Sequence, residues 1–208
     1  MLLKGGYKMI KQIIARGFFK GLQEKVGKEK GQEIYNHYLL VLKGNQHWVT
    51  DKPTELNIIY TSMSLAAFQV LKKDGNENWR EILRYCLMDR TKKKQQFFMK
   101  LYLMFDRHPF KRIVKISKAK QVKAYGEEHF DFSIKKDDNQ SFHLHVNQCF
   151  YLTFFQSHDA LEIMPLFCAM DDIWGDLLVP DKHGVEFTRP QLLSKGDSHC
   201  FFKFERTD

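Results

Sequence analysis

The apolar residues of this chain change period once, near Tyr125, and that change restricts the fold more than any other feature of the sequence. Before it they recur every three or four residues; after it they first alternate, as side chains on a pleated strand must. Leu56, Ile59, Tyr60, Met63, Leu65, Phe68 and Leu71 form one apolar stripe, and the spacing predicts helices over 55–71 and, by the same pattern, over 32–42. Segments 79–88 and 95–105 repeat it on either side of the basic run Arg90-Thr91-Lys92-Lys93-Lys94, which reads as a separator between them. These helices are expected on the outside of the molecule. Gly, Asn, Asp and Pro mark 28–31, 44–53 and 72–78 as the candidate linkers.

Beyond Tyr125, alternation over 129–134 and 141–146, with Asp and Asn at 137–140 between them, predicts a β-hairpin. Helical spacing returns over 149–156 and 162–178. Segments 185–188 and 200–204 read as two further strands, with Gly196-Asp197 as the turn signal; in the last strand Phe202 and Phe204 share one face, Phe201 and Lys203 the other. The expected class is α+β: N-terminal helices packed with a small antiparallel β-sheet and C-terminal motif-bearing helices.

Charge divides the chain at the same place. Residues 1–125 carry 26 basic and 10 acidic side chains, and residues 126–208 carry 7 and 15. The expected organisation is therefore a basic helical region, 1–125, and an acidic α+β region, 126–208, within one compact domain, since 208 residues are enough to build a core without staples. The Arg90–Lys94 run and the lysines after it could face a nucleic acid or a membrane surface. No helix-turn-helix, zinc-finger or RNA-recognition signature accompanies them, so nucleic-acid binding is not expected. A basic region and an acidic one are also complementary, within one chain or across a homodimer. Charges interrupt every apolar stretch before the roughly 18 residues needed to span a bilayer, and the first residues lack an uninterrupted apolar leader. The cytoplasm is the expected compartment.

The residues suited to chemistry lie in the acidic region. Cys86 stands apart in a helix, where packing is its expected role, but Cys149, Cys168 and Cys200 follow Tyr125, and none forms a Cys-x-x-Cys pair. Cys149 opens one helix. Cys168, Asp171 and Asp172 lie on the next at i, i+3 and i+4, so they share a face. Cys200 begins the last strand, and Arg189 adds a fixed positive charge after Phe187-Thr188. Thiols, carboxylates and a guanidinium suit attack on an electrophilic carbon while a substrate carboxylate is held. Burial is the competing explanation, because free cysteine is among the most buried residue types. His143 and His145 share a strand face near Cys149. With a thiolate or carboxylate they would suit a divalent metal such as zinc, although their alternation with Phe142, Leu144 and Val146 equally suits the polar face of a half-exposed strand. His199, beside Cys200, reads as a surface residue.

Four stretches carry a family resemblance: Val146-Asn147-Gln148-Cys149-Phe150-Tyr151; Met164-Pro165-Leu166-Phe167-Cys168-Ala169-Met170-Asp171; Phe187-Thr188-Arg189-Pro190; and Lys195-Gly196-Asp197-Ser198-His199-Cys200-Phe201-Phe202. Together, over 142–206, they resemble the L-2-amino-thiazoline-4-carboxylic acid hydrolase family. The resemblance implies a hydrolase that opens a cyclic or amidine-like C–N bond of a small carboxylated substrate. In the namesake reaction water adds to C2 of a thiazoline and the ring opens toward an N-carbamoyl cysteine. Carried onto this chain, Cys149, Cys168 and Cys200 become the candidate nucleophile or ligand set, Asp171 or else Asp172 the acid/base, and Arg189 the carboxylate clamp, with Asp197 as a further substrate contact. A helical region followed by a cysteine-bearing α+β unit also resembles the 4-vinyl reductase and haem-nitric-oxide-binding modules, which bind a small molecule, metal or tetrapyrrole without hydrolysing it.

Overall fold

The computed structural model describes residues 2–126 and 128–207, and it is α+β, as the change of period requires. Six helices come first: α1 (Leu2–Val26), α2 (Lys28–Gly44), α3 (Lys52–Lys73), α4 (Trp79–Arg84), α5 (Arg90–Phe105) and α6 (Pro109–Lys120). Strands β1 (Asp131–Asp137) and β2 (Ser141–Gln148) follow, then α7 (Phe150–Ser157), α8 (Met164–Gly175), the single turn α9 (Pro180–His183), β3 (Val185–Thr188) and β4 (Cys200–Arg206). Backbone contacts group these elements into two compact units, residues 1–91 with 155–166, and residues 92–154 with 167–208.

In the first unit α3 is the central element. Asp51 caps it by accepting the Thr54 N–H at 2.8 Å, and Pro53 occupies its first turn, where a missing N–H costs nothing. The helix is buried on nearly every face from Asn57 to Leu71, so it is not the outer helix that its stripe predicts. Small residues explain the difference: Thr61, Ser62, Ser64, Ala66 and Ala67 fill the back of the stripe and let neighbouring helices approach there as well. Phe18, Phe19 and Leu22 of α1 and Ile34 and Tyr38 of α2 complete this core. Segment 28–31 is the first turn of α2 and not a linker. The break falls at Gly27, whose φ of 84° favours glycine, and Gly31 lies where a Cβ would come within 2.6 Å of the Gln23 side chain.

The basic run at 90–94 does not separate two helices either. A π-helical turn, Tyr85–Asp89, leads from α4 directly into α5, consistent with lysine being a good helix former. In the second unit the strands form one antiparallel sheet in the order β1-β2-β4-β3. The hairpin between β1 and β2 closes on Asp138, whose carboxylate accepts the N–H groups of Gln140 and Ser141 at 2.8 and 2.7 Å. One sheet face, with Phe142, Leu144, Val185 and Phe204, packs with Leu103 of α5, Phe110 and Ile113 of α6, and Leu177 and Leu178. The other face carries His143, His145, Phe201 and Lys203 and is only partly covered. Glycine also brings α8 down onto the sheet: a Cβ at Gly175 would lie 2.2 Å from the Phe187 ring of β3. Among the described residues no helix is long and apolar enough to cross a membrane.

Candidate active site

All three cysteines after Tyr125 lie in the second unit, and the structure gathers them around one carboxylate. Cys149 precedes α7, and its thiol accepts hydrogen bonds from the backbone N–H groups of Leu152 and Tyr151. The helix N-terminus favours a thiolate there, but burial prevails and pushes the thiol up to about 12. Cys168, on α8, lies 3.2 Å from the Ser194 hydroxyl, and Cys200, at the start of β4, accepts the Leu193 N–H at 3.3 Å. Adjacent residues of one loop thus touch both thiols. Burial raises these two as well, against the opposing hydrogen bonds from Ser194 and Leu193. At neutral pH all three sulfurs are thiols, and no disulfide links them.

Asp171 stands among them, one helical turn after Cys168. Burial pushes its carboxyl up to about 6, although Arg189 and Lys120 pull the other way. Yet 37 % of its side-chain surface is accessible. Arg189, following β3, spans the aspartate pair. Its Nη1 lies 3.4 Å from Asp171 Oδ2, and its Nη2 donates to Asp172 Oδ2 at 3.0 Å and to the Cys168 carbonyl at 2.9 Å. The guanidinium is 7 % exposed and packs 5.2 Å from the centre of the Phe202 ring. Asp172 also rises, through burial, but its carboxylate is the more open of the two.

Tyr125 completes the group, and no motif in the sequence announces it. It ends a π-helical turn, Gln121–Tyr125, that continues α6, and Gly126 at φ 80° terminates the helix there. Its ring packs on Phe130 and Phe132, and its hydroxyl hydrogen-bonds to Asp171. The Asp171 charge, then burial and then Cys149 drive its ionisation far above the usual phenol range, so Tyr125 is a proton donor at any physiological pH. Ser194 was equally hidden, because a serine in a short loop carries no signal of its own.

The remaining candidates are placed differently. The Asp197 carboxylate accepts the Leu192 N–H at 2.7 Å, which fixes the loop that carries Leu193 and Ser194. His143 bonds Glu205 at 2.6 Å, while His145 stacks on His199 with ring centres 3.7 Å apart. His199 is thus half-buried and not a surface residue; its Nε2 is buried without a hydrogen-bond partner. Burial and then His199 hold His145 below the usual imidazole range. Among the described residues no group of three or more His, Cys, Asp or Glu side chains is arranged to hold a metal ion. Cys86, in the first unit, is packed and raised to about 12 by burial.

The arrangement offers a base that is largely ionised at neutral pH, a phenol donor hydrogen-bonded to it, and thiols within electrostatic reach. Compared with known families, the chain matches the model described as L-2-amino-thiazoline-4-carboxylic acid hydrolase over residues 56–204. No curated protein and no solved structure matches it.

Proposed function

Because the chain belongs to the L-2-amino-thiazoline-4-carboxylic acid hydrolase family, we propose that it is a hydrolase acting on the cyclic, amidine-like carbon of a small carboxylated substrate. The observation that carries this reading is Asp171: a carboxylate raised to about 6, still partly accessible, held by Arg189 and bonded to a phenol. A base of that pKa matches the operating pH of general catalysis.

In this reading Asp171 takes a proton from water as its oxygen bonds to the amidine carbon, and the ring nitrogen gains a proton, so that water has added across the C=N unit. The tetrahedral carbon then collapses and the ring atom leaves with its electron pair and is protonated. That atom is nitrogen where a C–N bond opens, and sulfur where the product is an N-carbamoyl cysteine. Tyr125 gives its hydroxyl proton to the ring nitrogen and regains one from Asp171, its hydrogen-bond partner, so the proton taken from water is relayed through the carboxylate to the phenol; the hydroxyl proton of the tetrahedral carbon travels the same route to the leaving atom. If sulfur and not water is the attacking atom, Cys168 or Cys200 passes its proton to Asp171 as the C–S bond forms, the ring atom leaves, and water then adds to the enzyme-bound carbon and displaces the sulfur, restoring the thiol and releasing the product. Either path needs an external base, since no thiol here is ionised at rest.

Arg189 has two roles in the proposal. It orients Asp171, and it anchors the substrate carboxylate by exchanging Asp172, its more exposed partner. Asp197 acts on substrate indirectly, through the loop it fixes.

The test is turnover of a 2-aminothiazoline carboxylate by Asp171→Asn. A loss of about 10²–10⁴-fold with an unchanged circular dichroism spectrum is expected, and retained turnover would overturn the reading. Cys149→Ala, Cys168→Ala and Cys200→Ala separate the two attacking atoms: all three variants active assigns the attack to water. A stoichiometric metal or chromophore in the purified protein, with no ring opening, would favour a binding module instead.

A further inference from the structure

Helix α5 has two apolar faces. Leu103 and Met99 pack on the sheet core of the second unit, as an amphipathic helix requires. The opposite face should then be polar, and it is not: Phe97, Phe98 and Met104 are 62, 60 and 60 % exposed, and Leu101 and Tyr102 are exposed beside them. Positions 97, 101 and 104 follow one another at four and three residues, and 98 and 102 at four. The exposed side chains therefore form a continuous ridge along the helix. A contiguous exposed apolar surface of this kind marks an interaction site.

The charges around the ridge select its partner. Between Arg90 and Tyr125 the chain has twelve Lys and Arg residues and a single acid, Asp106, whose carboxylate is already 3.0 Å from Arg112. Within α5 itself there is no acid at all, and Lys93, Lys94 and Lys100 lie along the helix beside the ridge. A second copy seated on this face would set these lysines against their own equivalents. The rings of Phe97 and Phe98 meet edge to face at 73°, and Leu101 and Met104 stand among them, so the ridge does not offer the row of open ring faces on which successive bases stack. Lysines bordering a ridge of Phe, Leu and Met are the composition that settles at the boundary between anionic headgroups and acyl chains.

We propose that the outward face of α5 docks the protein on an anionic lipid bilayer, with the ridge entering the interface and the lysines meeting the headgroups. The protein would lie on the membrane and not span it.

Co-sedimentation of the full chain with vesicles tests this. Vesicles of phosphatidylglycerol and phosphatidylcholine should bind it at least about tenfold more tightly than phosphatidylcholine alone, and the binding should weaken as salt rises. The double variant Phe97→Ser/Phe98→Ser should lose roughly tenfold or more of that affinity, because it removes two large apolar anchors. Lys93→Gln/Lys94→Gln should erase much of the preference for anionic vesicles. Both replace exposed side chains, and an unchanged thermal midpoint will show that the fold survives. The proposal fails if the mixed vesicles do not bind, if both vesicle types bind equally, or if the double phenylalanine variant binds like wild type. It fails too if the ridge proves to be a dimer contact, with a wild-type dimer that Phe97→Ser/Phe98→Ser dissolves and no vesicle binding. Retention of single-stranded RNA without vesicle binding would assign the face to nucleic acid.

Discussion

In the first unit, α3 buries hydroxyls that are satisfied within one turn of their own helix: Thr61 donates to the Asn57 carbonyl at 3.0 Å and Ser64 to the Tyr60 carbonyl at 2.9 Å. In the second unit the clustered polar groups are ionisable ones from distant segments: a buried arginine after β3, partly accessible aspartates on α8, a phenol after α6 and thiols at 149, 168 and 200. Local satisfaction costs little and fixes nothing beyond the helix. Groups assembled across a fold are expensive to desolvate, and every partner removed leaves a charge uncompensated. The contrast distinguishes the candidate site in the second unit without reference to any motif.

Removing the cation should break that contrast most severely. Arg189→Gln removes the hydrogen bonds of a buried guanidinium to two partly accessible carboxylates and should cost about 2 kcal/mol of stability; chemical denaturation measures it. Since Arg189 lowers Asp171, its loss should also move the acid limb of the activity profile to higher pH. Asp171 binds its proton more tightly when folded than its ordinary value of 3.8 allows, so its contribution to stability is full below about pH 4 and is lost as pH rises through about 6. The ionised base becomes available over the interval in which the fold loses that contribution. Thermal midpoints and kcat/KM measured across pH 4 to 7 should therefore run in opposite directions.

Next in size is Gly175→Ala, which sharpens the dependence of the site on packing. Its methyl group would meet the Phe187 ring, so α8 must shift, at a cost of about 1–3 kcal/mol. Because α8 carries Cys168, Asp171 and Asp172, turnover should fall along with the midpoint. The first unit should answer in the other direction. The Ser62 hydroxyl is buried without a hydrogen-bond partner, so Ser62→Ala should stabilise by about 1 kcal/mol in urea titrations and leave turnover unchanged. The smallest effect is expected from Asp172→Asn. If a substrate carboxylate competes with Asp172 for Arg189, the substitution should lower KM by a few-fold with kcat nearly constant, and a raised KM would refute the exchange.

Strands were legible where alternation had turn residues on both sides. Val185–Thr188 forms over the residues that the pattern marks, and Cys200 begins its strand as expected. Helix boundaries were less so. Four charged residues near 90–94 interrupt an apolar pattern without interrupting a helix, because hydropathy and helix propensity are separate properties. The pattern on α3 hid its burial for a related reason: Ser, Thr and Ala look polar or neutral in sequence but pack like small apolar residues when their hydroxyls bond backward. In the site, Cys149, Cys168, Cys200, Asp171 and Arg189 could be named because each stands in a recognisable local setting. Tyr125 and Ser194 could not, since their place is decided by tertiary contacts.

The π-helical turn before Tyr125 amounts to one residue more than an α-helix of the same rise would hold. The surplus is absorbed in the helix and not looped out, and it turns the last residue by about 100° relative to the helix before it. Deleting a single residue from 121–124 would restore regular winding and aim the phenol away from Asp171 without altering any side chain of the site. Position 125 is thus defined by a count as well as by its neighbours, which ties the candidate site to the length of this segment as much as to the identity of its residues.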